Sequence, residues 1–219
     1  MRIIAAALLL STTACSAMAA EKMVTAPAPT ADEAPKTTLQ TAVFAGGCFW
    51  GVEGVFERLK GVQSVRSGYA GGSKATASYD KIGYGTTGHA EAVEITYDPK
   101  KISYGTLMQV LFSVAHDPTQ LNRQGPDTGP QYRSTIFPQT PEQTTLAKAY
   151  ISQLNTAKTW GKPLVTTLES SKPFYKAEDY HQNYLRAHPN QPYIMFNDLP
   201  KVEALKTRFP ALWSEKPAA

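Results

Sequence analysis

Gly46-Gly47-Cys48 constrains this chain more than any other stretch. Before it, Thr41–Ala45 mixes β-branched, aromatic and small residues and reads as a short buried strand closed by two glycines. After it, Phe49, Val52, Phe56 and Leu59 recur at i, i+3, i+7 and i+10, one stripe of a helix. Cys48 is therefore expected where a strand turns into a helix N-terminus. The first N–H groups of a helix have no partner within it and favour an anion; a thiolate is the anion a cysteine supplies. The alternative is a buried, inert cysteine, common for this residue type, but a Gly-Gly approach exposes a residue rather than packing it.

Residues 1–20 read as a separate object. Met1-Arg2 is a short basic start, Ile3–Leu10 an apolar run too short to span a bilayer, and Ala17-Met18-Ala19 a small-x-small cleavage signal. An exported, periplasmic location is expected, with membrane attachment only if Cys15 is lipidated. Residues 21–38 are rich in Ala, Pro and Thr without apolar periodicity, and are expected as a flexible linker ahead of a catalytic domain over 39–214. That domain is long enough for one sizeable core. The formal charge of +4 is modest and no basic run interleaves with aromatics, so nucleic-acid binding has little support.

Further strands are expected over 62–69, 89–97 and 132–137. A helix capped by Ser103 carries Leu107, Val110, Leu111 and Val114 at helical spacing. Glycines and hydroxyls make 70–88 a loop, and Pro and Gly do the same for 116–131. Strand, helix, strand, strand, helix, strand is the order of a ferredoxin-like, split β-α-β two-layer sandwich of the α+β class. Thr140-Pro141-Glu142-Gln143 starts a third helix with a cap, a proline at the first position and a capping-box glutamine. A short strand is expected over 164–169. A helix near 178–186, a Pro- and Asn-rich coil and a last helix near 202–209 complete the pattern.

At period two, Glu91, Val93, Ile95 and Tyr97 share the more apolar face of their strand. Desolvation there raises a carboxyl pKa and keeps a proton available for donation. A strand-end glutamate reaching solvent is the rival reading. His89, His116 and His181 allow a second function, a cysteine hydrolase or acyl-transferase using Cys48 with Asp117 or Asp179 as orienter. A non-catalytic peptide-binding module is a third. Structural histidines are the simpler reading of all three. The scattered histidines lack ligand spacing, so no metal site is expected.

Gly-Cys-Phe-Trp-Gly-Val-Glu (47–53) resembles the signature of the A-type peptide methionine sulfoxide reductases. Gly-Tyr-Ala-Gly-Gly (68–72), Thr-Gly-His-Ala-Glu (87–91), His-Asp-Pro-Thr (116–119), Asn-Arg-Gln-Gly-Pro-Asp (122–127), Gln-Tyr-Arg-Ser (131–134) and Ala-Glu-Asp-Tyr-His (177–181) follow in the order that family shows. The resemblance implies Cys48 as nucleophile and Glu91 as acid, with Phe49 and Trp50 as the pocket for the S-methyl group. It also implies that the Tyr79 and Tyr132 phenols hydrogen-bond the sulfoxide oxygen, and that Asp127 holds a site water or the substrate backbone. Read without the resemblance, those last three are unremarkable loop residues. The expected substrates are oxidised proteins and peptides, the expected species a monomer, and no cofactor is bound. Many relatives carry resolving cysteines in a glycine-rich tail, and residues 190–200 hold none. Recycling of a Cys48 sulfenic acid is therefore expected to need an external thiol: a thioredoxin-like or glutaredoxin-like protein, or dithiothreitol in vitro.

Overall fold

The structure is a computed structural model that describes residues 23–170 and 172–219. The expected leader and Cys15 lie outside the described residues.

Four strands form the centre: β1 (Gln40–Gly46), β2 (Val62–Ala70), β3 (Ala90–Tyr97) and, late in the chain, β6 (Ser134–Ile136). The intervening elements are α1 (Phe49–Phe56), α2 (Tyr79–Ile82), α3 (Tyr104–Val110) and a hairpin of β4 (Arg123–Gln124) with β5 (Asp127–Thr128). Then come α4 (Pro141–Ala157), β7 (Thr167–Leu168), β8 (Tyr175–Lys176), α5 (Tyr184–Ala187) and α6 (Leu199–Arg208). The large sheet runs β7-β6-β1-β3-β2-β8. Its inner four strands are antiparallel in the expected ferredoxin-like order, so the two-layer α+β reading holds. β7 adds a parallel edge beside β6 and β8 an antiparallel edge beside β2.

Side-chain alternation makes the sheet two-faced. Phe44, Val93, Ile95 and Tyr97 point into the main core with Phe56, Leu107 and Leu111 from the helical layer. The reverse face carries Val43, Ala45, Ala70, Ala90 and Ala92, covered by Phe137 and Phe174. On α1, Gly51 and Gly54 lie three apart on one face. A Cβ on Gly51 would overlap the Asp198 carboxyl, and one on Gly54 would sit 2.7 Å from Leu185 Cδ1. These glycines let the C-terminal segment cross close behind Cys48.

Several boundaries differ from the sequence reading. α1 stops at Phe56 rather than Leu59, because Leu59 bridges to Trp213 and Lys60 N–H donates to the Leu212 carbonyl. The loop over 70–88 contains α2, which carries Tyr79. The helix near 178–186 is broken by Asn183, which adopts a left-handed φ of 56°. Ser103 and Thr140 cap as expected, accepting from Thr106 N and Gln143 N at 3.1 Å each. The Gln143 side chain accepts from Gln139 N instead of closing a capping box.

The flexible linker expected over 21–38 is corrected for its described part, 23–38, which is docked. Ala26 is buried, its N–H donating to Ser113 Oγ at 3.0 Å. Asp32 accepts from Gly105 N at 2.8 Å and Glu33 from Tyr104 N at 2.8 Å, so this segment caps α3 from seventy residues away. Composition shows no periodicity here because the segment is held by polar groups meeting helix ends, not by an apolar stripe.

Candidate active site

β1 delivers the chain to Cys48 through Gly46 and Gly47. Gly47 has φ +91°, and a Cβ on it would lie 2.6 Å from Gln124 Cβ, so only glycine fits the turn. Cys48 is the N-cap of α1, as expected, yet only 7% exposed. Burial pushes its thiol well above the ordinary value, helped by the neighbouring Asp198 and Glu91 carboxyls. The expected thiolate is thus corrected to a neutral thiol. A helix N-terminus contributes about 0.3–1 kcal/mol toward an anion, and the desolvation of a fully buried thiol opposes it as the dominant effect.

Glu91 is buried on the core-directed face of β3, opposite Tyr69 of β2. Its Oε2 accepts the Phe49 N–H at 3.0 Å, the residue directly after Cys48. Burial raises it from 4.5 to about 8, against the opposing effect of that hydrogen bond and with help from Asp127 and Asp198. At neutral pH it is a carboxylic acid.

Tyr79 begins α2, its N–H donating to Glu178 Oε1 at 3.1 Å and its ring 4.4 Å from that of His181. Burial, then Glu91 and Cys48, push its phenol up to about 12. Tyr132 ends the turn before β6, and burial, then Glu91, Asp127, Cys48 and Tyr79, push it up as well. Asp127, on the β4–β5 hairpin, accepts a short hydrogen bond from the Tyr193 hydroxyl. Its pKa is raised, chiefly by burial. Three segments distant in sequence therefore place Cys48, Glu91, Tyr79, Tyr132 and Asp127 within electrostatic reach of one another.

Beside them lies an aromatic wall. Phe49 is fully buried, 5.0 Å from the His181 ring and 5.9 Å from Tyr69. Trp50 is only partly buried and stacks on Tyr184 at 3.9 Å and 11°. Tyr193 meets it edge-on at 6.0 Å, and its indole N–H donates to His181 Nδ1 at 3.1 Å.

Sequence reasoning missed His181, Tyr184, Tyr193 and Asp198 as neighbours of the nucleophile. His181 stood as a structural histidine or a hydrolase base, not as a support for Trp50, yet it accepts the Trp50 indole N–H and its Nε2 has no hydrogen-bond partner among the described residues. The Ala-Glu-Asp-Tyr-His block was the available signal for it. Nothing in the sequence pointed to Asp198, which is fully buried with Lys201 Nζ 3.7 Å from its Oδ1. The other two histidines are structural. Both His89 nitrogens bond the loop backbone at Gly72 and Ser73. His116 bonds the Leu111 carbonyl and Ser134 Oγ, and burial lowers it to about 4. Neither of these two rings is therefore free to act as base on Cys48 in a hydrolase.

A buried thiol, a buried carboxyl with a raised pKa and two phenols beside an aromatic wall are the groups a thiol-dependent oxidoreductase needs. Comparison with known proteins agrees and is more specific. The family model for peptide methionine sulfoxide reductase matches residues 40–212. The chain is 60% identical over 186 residues to the peptide methionine sulfoxide reductase MsrA 2 of Mesorhizobium japonicum, covering 85% of this chain and 95% of that one. The corresponding protein of Synechocystis is 48% identical, over 84% of this chain and 87% of its own. Among solved structures, reduced Mxr1 from Saccharomyces cerevisiae aligns with a TM-score of 0.64 at 33% identity, over 74% of this chain and 92% of its own. Methionine sulfoxide reductase A of Corynebacterium diphtheriae aligns at 0.62 and 29%, over 84% and 93%. The chain belongs to the A-type peptide methionine sulfoxide reductase family, and its activity is the thiol-dependent reduction of methionine sulfoxide.

Proposed function

We propose that Cys48 is the nucleophile, that Glu91 is the acid, and that the enzyme repairs methionine-S-sulfoxide in exported proteins. The observation that carries this reading is the buried Glu91 carboxyl accepting the Phe49 N–H at 3.0 Å, one peptide from Cys48, in a setting that raises its pKa. The Cys48 sulfur attacks the sulfoxide sulfur while Glu91 protonates the departing oxygen, with the Tyr79 and Tyr132 phenols as further donors. Methionine leaves, the oxygen ends on Cys48 as a sulfenic acid, and the thiol proton replaces the one Glu91 gave. Cysteine sulfur loses two electrons and methionine sulfur gains them, so the half-reaction needs no bound cofactor. Trp50 and Phe49 supply the apolar surface for the S-methyl group. Asp127, tied to Tyr193, lines the polar side.

Recycling follows from composition. Residues 49–219 contain no second cysteine, and Tyr193 of the C-terminal segment lies against Trp50. An external thiol, from a thioredoxin-like or glutaredoxin-like protein, attacks the sulfenic acid, releases water and passes through a mixed disulfide. The exported setting rests on the Met1–Ala20 leader sequence. The test is turnover of a methionine-S-sulfoxide peptide with dithiothreitol by wild type and Cys48→Ser. Without reductant, one equivalent of substrate adds about 16 Da to the protein, one oxygen, and a sulfenic-acid trap labels Cys48. Appreciable reduction by Cys48→Ser removes the mechanism.

A further inference from the structure

Of the blocks at 68–72 and 131–134, the chemistry above uses only Tyr132, and a neighbouring side chain packs the two blocks together. Arg133 follows Tyr132 directly. A guanidinium has five N–H groups, and here each has an acceptor. Nε and one Nη2 hydrogen make a two-pronged bond to Glu169, at 2.6 Å to Oε1 and 3.0 Å to Oε2. The other Nη2 hydrogen goes to the Gly88 carbonyl at 3.0 Å. Nη1 reaches the His89 carbonyl at 3.1 Å and the Pro130 carbonyl at 2.9 Å.

Those three carbonyls come from the two segments that lead into the reacting groups. Gly88 and His89 immediately precede β3, which presents Glu91; Pro130 opens the turn that presents Tyr132. Gly71 leaves the space this requires. It has φ +102°, and a Cβ there would lie 2.8 Å from Arg133 Nη2 and 3.3 Å from Glu169 Oε2. Glu169 is itself fixed, its N–H donating to the Ile136 carbonyl at 3.1 Å.

We propose that Arg133 and Glu169 are positioning residues for sulfoxide reduction, a clamp that sets the separation of Glu91 and Tyr132. This rests on the reading that both groups serve the sulfoxide oxygen. Lysine does not replace arginine here, since an ammonium is a point charge and lacks the planar fork that reaches three carbonyls and a carboxylate at once. Coulomb attraction is the lesser part, because the pair is partly solvated, with side chains 16% and 28% exposed. The clamp acts through geometry, and displacement of a reacting group by about 1 Å can cost ~10²-fold in rate.

The experiment is single-turnover release of methionine from a methionine-S-sulfoxide peptide, with thermal melts of each variant. Arg133→Lys is expected to react about 10- to 100-fold more slowly, while the half-saturating peptide concentration changes little and the protein stays folded at the assay temperature. Glu169→Gln is expected to slow the step less. The double variant should be no slower than Arg133→Lys alone, because the two act as one unit. Arg133→Ala should recover rate in sub-denaturing guanidinium but not in methylammonium, which brings the charge without the fork. Arg133→Lys at the wild-type rate, a loss matching its unfolded fraction, or a loss wholly in peptide affinity would each overturn the clamp. Glu91→Gln in the same assay separates the two readings. If it is slow while Arg133→Lys is not, only the clamp fails; if it matches wild type, the acid assignment fails.

Discussion

Replacing Glu91 by glutamine should stabilise the protein while disabling it, and the stabilisation should depend on pH in a defined direction. The folded state holds the Glu91 proton up to about 8, against an ordinary value of 4.5 in the unfolded chain. Below 4.5 the carboxyl is protonated in both states, and ionisation makes no difference between wild type and variant. As pH rises from there, the unfolded wild type releases its proton and the folded one does not. Wild type therefore loses stability at about 1.4 kcal/mol per pH unit until the folded carboxyl ionises near 8, reaching ~5 kcal/mol in full. Glutamine is never charged and keeps an oxygen to accept the Phe49 N–H. The variant should thus gain stability over wild type between pH 5 and 8.5 by several kcal/mol, with little gain near pH 4. Urea unfolding of both proteins at each pH measures this, since other titrating groups cancel in the difference. Loss of the acid should slow single turnover by about 10²–10⁴-fold, and wild-type single turnover should decline as pH rises through about 8. A stability difference that is flat with pH would refute the argument, because it would mean that Glu91 ionises at the same pH in the folded protein as in the unfolded chain.

Gly51→Ala should destabilise by about 1–3 kcal/mol, seen as a lower denaturant midpoint, since its methyl group would overlap the Asp198 carboxyl behind Cys48. Trp50→Ala should raise the half-saturating concentration of a methionine-sulfoxide peptide, measured under single turnover, because it removes the pocket wall stacked on Tyr184. Glu33→Ala should cost about 1–2 kcal/mol in thermal or urea unfolding, since it leaves the Tyr104 N–H and the Tyr97 hydroxyl without their acceptor. An unchanged midpoint would show that the segment before β1 is a free linker after all.

The ferredoxin-like core was legible because each part is written in short-range pattern. Period two put Glu91 with Val93, Ile95 and Tyr97, and the glycine pair ahead of an apolar helical stripe located Cys48 at the N-cap. The Ser103 and Thr140 caps came from the same local chemistry. Tyr79, Tyr132 and Asp127 could be named only through family resemblance, since a tyrosine on a loop has no period to betray its purpose.

What tertiary structure alone decided is the balance of forces at the site. Locally, Cys48 sits where a helix end favours a thiolate; in the fold, burial first and then the Asp198 carboxyl push its pKa up and favour the thiol. The same long-range packing carries His181 and Tyr193 onto Trp50 and stitches Asp32 and Glu33 to the start of α3. Backbone period and capping depend on residues a few positions apart, so the sequence records them directly. Desolvation depends on everything that closes over a group, and that was decided only when segments more than a hundred residues apart met around Cys48.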